Sequence, residues 1–205
     1  MNATEQIVRI YYEHLHNVFT KANIKGSGQC ELDLIGIKND AEITYYHIET
    51  SVSLSDGFSI ITNNAYSPEK EKERTSSASQ KKTAGYFINK KFNTKEILAT
   101  YKKNGIDKTK IKKIVVAWDF NEEAKNRLNR NSIECKSMKE ILQEMVDHMS
   151  LETANIDNDI LKTIQLLIRA NINMPKSLSN ATARKKKKER DNGMKKPKKN
   201  KEKSS

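Results

Sequence analysis

The sequence predicts an α/β domain, a mixed sheet flanked by helices, with a disordered basic C-terminal tail. Three observations carry that expectation: two alternating strand-like runs joined by a short turn near residue 40, an apolar run at 112–120 enclosed by helical segments, and a lysine-rich end poor in apolar residues. Hairpin-linked strands followed by helix-linked strands give a sheet with both antiparallel and parallel pairs. At 205 residues the chain has room for one domain with a core plus a tail, and the expected boundary sets the domain at 1–176 and the tail at 177–205.

Each element has its own signature. In residues 4–22, Ile7, Ile10, Tyr11, Leu15, Val18 and Phe19 recur at helical spacing, which predicts a first helix across the whole segment. Gly26, Ser27 and Gly28 punctuate the chain before two strands at about 29–37 and 43–53, with Lys38 to Ala41 as the turn. GFSIIT at 57–62 reads as a third short strand, and the polar stretch after it as a loop. Helical character resumes through 78–92 and again from Asn93, which is placed to cap with Glu96 three residues on; Asn104 and Gly105 stop that helix. KKIVVAWDF at 112–120 suits a central strand covered on both faces, with Trp118 in the core. Asn121 caps the next helix, SIEC is a short strand, and Ser137 with Glu140 forms a capping box that opens a helix. A last helix is expected over about 157–171.

Charge and cysteine content narrow the class. Between Arg184 and Lys203 the chain carries 12 Lys or Arg and 3 acids, so most of its formal +12 sits in the tail and little remains for the folded surface. Such a self-repelling segment buries too little apolar surface to offset its ordering entropy. Its lysines, including Lys185, Lys186, Lys187, Lys188, Lys195 and Lys196, are suited to neutralising phosphates. Cys30 and Cys135 lie far apart and outside any CxxC pairing, so neither a disulfide framework nor a zinc ribbon is indicated, and a reducing compartment fits. With no basic leader followed by an apolar segment and no run of membrane-span length, the expectation is a soluble cytoplasmic protein without a membrane partner, or a nuclear one if the source has a nucleus. The four histidines show no ligand spacing.

The hairpin holds the chemistry. In ELDLIGIKNDAEITYYHIETSVS, side-chain alternation puts Glu31 and Asp33 on one face of the first strand, and His47, Glu49 and Ser51 on one face of the second. If the turn register brings the two polar sets together, two or three carboxylates converge within reach of one cation. A hard divalent ion such as magnesium takes oxygen ligands, and beside a phosphodiester it activates water and offsets developing charge. His47 is close enough in sequence to assist as a base.

Helix one, then GQCELDLIGI, then YYHIETS with a third strand, a helix and the strand IVVAW, resembles the PD-(D/E)XK nuclease superfamily over roughly residues 1–150. The resemblance implies a restriction-endonuclease-like αβββαβ core and a magnesium-dependent DNA endonuclease. It further implies Asp33 and Glu49 as metal ligands, the Thr50 backbone carbonyl as a third, and Glu13 or Glu5 on helix one as an accessory acid, with Glu31 nearby. In that family a lysine two residues after the second acid orients the attacking water; here the position is Ser51, whose neutral hydroxyl supplies no cation. Lys81 or Lys82, in the helix after the third strand, would then reach the site; read from the residues alone, the lysines of that helix, Lys81, Lys82, Lys90 and Lys91, could line a phosphate track. Two other readings stay open: a nuclease-fold protein that binds DNA or RNA without cutting, Ser51 marking the lost lysine, and a scaffold whose tail docks on an acidic partner. Cutting both strands of a duplex would call for a homodimer.

Overall fold

The structure, a computed structural model, describes residues 2–26, 30–52, 60–151 and 157–170. The tail expected at 177–205, with its lysines, lies outside the described residues. Helix α1 spans Ala3–His16 and opens with a capping box, in which Asn2 accepts from the Glu5 N–H and Glu5 accepts from the Asn2 N–H. It ends six residues before the expected stop at residue 22, because Asn17 takes a left-handed φ of 55° and turns the chain. Val18 then enters the core and Phe19 begins an edge strand, β1 (Phe19–Lys25). The spacing of Val18 and Phe19 that looked like another helical turn belongs to that strand.

Strands β2 (Glu31–Asn39) and β3 (Ile43–Ser51) form the expected hairpin across a three-residue turn. Only the end of the third strand expected at 57–62 is described. It is β4 (Ile60–Ile61), and residues 57–59 of that expectation fall outside the described residues.

Between β4 and the next long strand lie the short helices α2 (Pro68–Lys72), α3 (Ser77–Gln80) and α4 (Ala84–Tyr86). A π-helical segment, Phe87–Phe92, and α5 (Lys95–Lys103) follow. The single helix expected over 78–92 is thus broken at Thr83. There the chain extends to pair with Thr62, whose N–H bonds the Lys82 carbonyl at 3.0 Å and whose carbonyl accepts from the Ala84 N–H at 2.9 Å. Thr94, not Asn93, caps α5. Asn93 instead donates to the Ile88 carbonyl at 2.9 Å and accepts from Lys113 at 2.9 Å, closing the wide turn before it.

The run expected at 112–120 divides into β5 (Ile111–Ala117) and β6 (Asp119–Phe120). Trp118, between them, is half-buried rather than in the core, and Lys139 sits over its ring at 5.5 Å. Helix α6 (Glu122–Arg130), capped by Asn121, leads to β7 (Ile133–Ser137) and α7 (Met138–Leu151), and α8 spans Asp159–Arg169. The Ser137–Glu140 capping box forms as expected.

The main sheet runs β1-β2-β3-β5-β7, antiparallel among its first three strands and parallel from β3 onward. β4 and β6 pair apart from it as a small parallel sheet. β5 lies inside the sheet between β3 and β7, and Ile114, Val115, Val116 and Ala117 are all buried, as a strand covered on both faces requires. Tyr86, Phe87, Ile88 and Phe92 pack with Val115, Ala117 and Leu128 on one side; Ile97 and Tyr101 of α5 pack with Leu32 and Ile35. On the other side α1 reaches Tyr46 through Tyr12 and binds α7 through a Tyr11–Glu144 hydrogen bond. The chain divides into two units, 1–165 and 166–205; of the second only residues 166–170, the end of α8 and the residue after it, are described. Among the described residues no helix is long and apolar enough to cross a membrane.

Candidate active site

The register of the hairpin decides whether the two acids meet. Leu34 pairs with Ile48 and Lys38 with Thr44, an alignment that puts Asp33 opposite Glu49 at the end of the ladder. Residues opposite one another in a sheet project to the same face. On the other flank the β1–β2 pairing steps from Ala22↔Leu34 to Ile24↔Leu32 and skips Asn23 and Asp33, where Asn23 has a φ of 51°. Asp33 is therefore released from regular pairing on both sides, an irregularity of the kind that re-aims a side chain. The carboxylates take up the backbone donors that the ladder gives up. Asp33 Oδ2 accepts from the Thr50 N–H at 2.8 Å, and the Asp33 N–H faces Glu49 Oε1 at 3.5 Å.

Lys91, from the π-helical segment, brings a cation to both acids. Its Nζ is 2.5 Å from Glu49 Oε2 and 3.7 Å from Asp33 Oδ1, and it donates to the Glu31 carbonyl at 3.3 Å. Glu49 is 1% exposed, whereas Asp33 and Lys91 each keep 20% of their side chains in solvent. On the inner side His47 Nε2 lies 2.7 Å from Glu49 Oε1, and His47 Nδ1 lies 2.6 Å from the Tyr101 hydroxyl. The His47 ring is fully buried and stacks edge-on against Phe92 and Tyr101.

These surroundings drive the two carboxyls apart in acidity. Burial, and then the Glu49 charge, push Asp33 up to about 7 against the pull of Lys91 and the Thr50 N–H. Burial also works against ionised Glu49, but the His47 hydrogen bond, with the charge and hydrogen bond of Lys91, outweighs it and holds that carboxyl below its usual range. Two like charges in one site separate in this way. Burial opposes the Lys91 ammonium, yet Glu49 and Asp33 more than compensate and raise it above the ordinary lysine value.

Of the residues singled out in the sequence, the structure brings together Asp33, Glu49, His47 and the Thr50 backbone. Ser51 closes β3, half-buried, on the strand face of Glu49. Glu31 is exposed beside Asp33. Lys81 is exposed on the same cleft as Lys91, and Lys82 is half-buried in the turn after α3. Glu13 is engaged elsewhere, with Arg9 at 2.8 Å and the Thr20 hydroxyl, and Glu5 is the α1 acid whose charge bears on Asp33. The cation at the acids is Lys91, which sequence reasoning had given only to a phosphate track. Spacing does not single it out: Lys90 stands at the same distances from buried Tyr86 and Phe87 as Lys91 does from Phe87 and Ile88, yet Lys90 is exposed. Tyr101, Phe92 and the fully buried state of His47 had no sequence signal pointing to the acids.

Lys91 and Glu31, beside the acids, line a cleft of 610 Å³ together with Cys30, Lys81, Tyr86 and Lys90, among others. The two carboxylates themselves are hard oxygen donors. No set of three or more His, Cys, Asp or Glu converges as a ligand group among the described residues. Magnesium needs none, since it keeps several waters and is held by one or two carboxylates together with substrate phosphates. Asp33 and Glu49 fit that ion.

No family model and no curated protein matches the chain. Among solved structures, a protein of unknown function designated AF1548 is similar at a TM-score of 0.44 and 18% identity, over 82% of this chain and 78% of that one.

Proposed function

We propose that the chain is a magnesium-dependent endonuclease of the PD-(D/E)XK type, with a restriction-endonuclease-like core, that hydrolyses phosphodiester bonds in DNA. The observation that carries this reading is one ammonium, Lys91, in ion-pair range of both Asp33 and Glu49. Ser51 leaves the motif without its lysine, and Lys91 supplies the missing cation from another element. The order of elements supports the same reading: a helix, an antiparallel three-strand meander bearing the acids on its second and third strands, then a parallel strand after a helical crossover.

Asp33 and Glu49 would hold the ion, with the Thr50 carbonyl as a third oxygen. When bound, magnesium lowers the pKa of its water and offsets charge on the phosphate. Lys91 orients the attacking water and faces the charge that develops on the phosphoryl oxygens, in a site where burial strengthens its field. Lys81 and Lys90, on the cleft wall, offer contacts to flanking phosphates. The lysines of the tail raise the local concentration of nucleic acid without reading sequence.

The test is cleavage of plasmid and linear DNA, with RNA in parallel, by purified full-length protein in magnesium and in EDTA. Asp33→Asn and Glu49→Gln abolish magnesium-dependent cleavage, and Lys91→Ala lowers its rate on the order of 10²-fold, the scale of losing one charge-stabilising donor. Cleavage that survives all three substitutions rejects the proposal. Magnesium-indifferent binding without cleavage favours the non-catalytic reading.

A further inference from the structure

Glu49 is gripped from behind by two buried residues, and resting on the magnesium-site reading above, the geometry points to a positioning device. We infer that Tyr101 and His47 lock Glu49 Oε1 so that only Oε2 is offered to a divalent ion, which makes the site favour magnesium over calcium.

The hydrogen-bond directions follow from what each group can do. An ionised carboxylate only accepts, so the 2.7 Å contact between His47 Nε2 and Glu49 Oε1 requires the hydrogen to sit on Nε2. In the neutral ring Nδ1 is then an acceptor, and the 2.6 Å contact requires the Tyr101 hydroxyl to donate. Burial keeps that hydroxyl protonated by raising it above the ordinary tyrosine value. His47 is held in turn between Phe92 and Tyr101, with ring centroids at 4.7 and 5.7 Å, so it has no room to swing.

The consequence falls on the carboxylate's two oxygens. Oε1 is committed to His47 and faces the Asp33 N–H, while Oε2 faces Lys91, which an incoming ion must displace. A ligand reduced to one free oxygen suits magnesium, whose octahedral shell is filled largely by water, better than calcium, which takes more oxygens and often both from one carboxylate. Partners that orient a ligand in this way commonly control metal affinity by 10–100-fold. No motif logic identifies Tyr101, because it comes from α5 across the site.

The experiment has two arms on the full-length chain. In metal-free protein, nitrogen-15 NMR of the His47 ring reads which nitrogen carries hydrogen; the expected result is hydrogen on Nε2, and an Nε2 without hydrogen overturns the inference. In the second arm, calorimetry measures magnesium and calcium affinities for the parent chain, Tyr101→Phe, His47→Gln and His47→Leu. His47→Leu and Tyr101→Phe lower the magnesium-to-calcium affinity ratio about 10-fold or more, and His47→Gln, which keeps a donor near the position of Nε2, restores most of it. A ratio unchanged in Tyr101→Phe and His47→Leu overturns the inference while leaving the nuclease reading intact. If His47→Leu fails to fold, Tyr101→Phe, which deletes a single hydroxyl, decides. Absence of ion binding by the parent chain defeats the nuclease reading and the ion-selection claim together, and the NMR arm still judges the lock.

Discussion

Replacing Asp33 by Asn should make the metal-free protein more stable at neutral pH, and by an amount that the structure sets. In the folded chain the Asp33 carboxyl is pushed from its ordinary 3.8 up to about 7. That displacement corresponds to roughly 4 kcal/mol of differential interaction between its two protonation states. The folded state thus holds a proton that the unfolded chain has already lost. Stability from this group is fully present below pH 4 and is lost as pH rises toward 7, because ionised Asp33 is paired with burial and with Glu49. Asparagine keeps an acceptor for the Thr50 N–H and never ionises. Urea unfolding in EDTA at pH 4, 6 and 8 should therefore show Asp33→Asn close to the parent at pH 4 and more stable by up to roughly 4 kcal/mol at pH 8. Glu49 contributes with the opposite sign: its carboxyl lies below the usual range, so its stabilisation is present above its ordinary pKa and lost only as pH falls through the lower folded value. Parallel stability curves for the parent and Asp33→Asn across this window would refute the assignment of mutual strain to the two carboxylates.

Lys91→Met leaves Glu49 buried without its ammonium partner and should cost about 3 kcal/mol at pH 8; a double-mutant cycle with Glu49→Gln should recover part of this, and strict additivity would contradict a direct pair. Ser137→Ala removes the cap hydroxyl that accepts from the Glu140 N–H at 3.1 Å, and should lower stability by about 1 kcal/mol in thermal or urea melts. Removing residues 177–205 should reduce the slope of log K for DNA against log salt by about 0.9 for each phosphate that the tail neutralises. An unchanged slope would assign DNA binding to the folded part alone.

Much of this organisation could be read from residues because local patterns and tertiary demands agree. Alternation in β2 and β3 put His47 and Glu49 on one face, and Ser137 with Glu140 marked a helix start that the backbone uses. Asn121 and Gly105, whose φ is 68°, likewise punctuate the chain where they were expected to. The misreadings have physical causes. β1 carries Thr20, Lys21 and Asn23 on an edge, with too little apolar contrast to announce a strand, and only pairing with β2 makes it one. The break at Thr83 depends on a partner 21 residues earlier, Thr62, and short-range spacing cannot show it. Lys91 hid for the same reason, since the π-helical turn and the hairpin register together bring it to Glu49. Release of Asp33 from its ladder also depends on both flanking strands at once.

The central claim, that Asp33 and Glu49 grip one divalent ion, is tested most directly by anomalous diffraction from a crystal of the full-length protein soaked in manganese. A peak bonded to Asp33 and Glu49 Oε2, with Lys91 displaced toward the cleft, is the predicted result. A crystal with manganese bound elsewhere, or with Lys91 still seated between two metal-free carboxylates at saturating manganese, would contradict it.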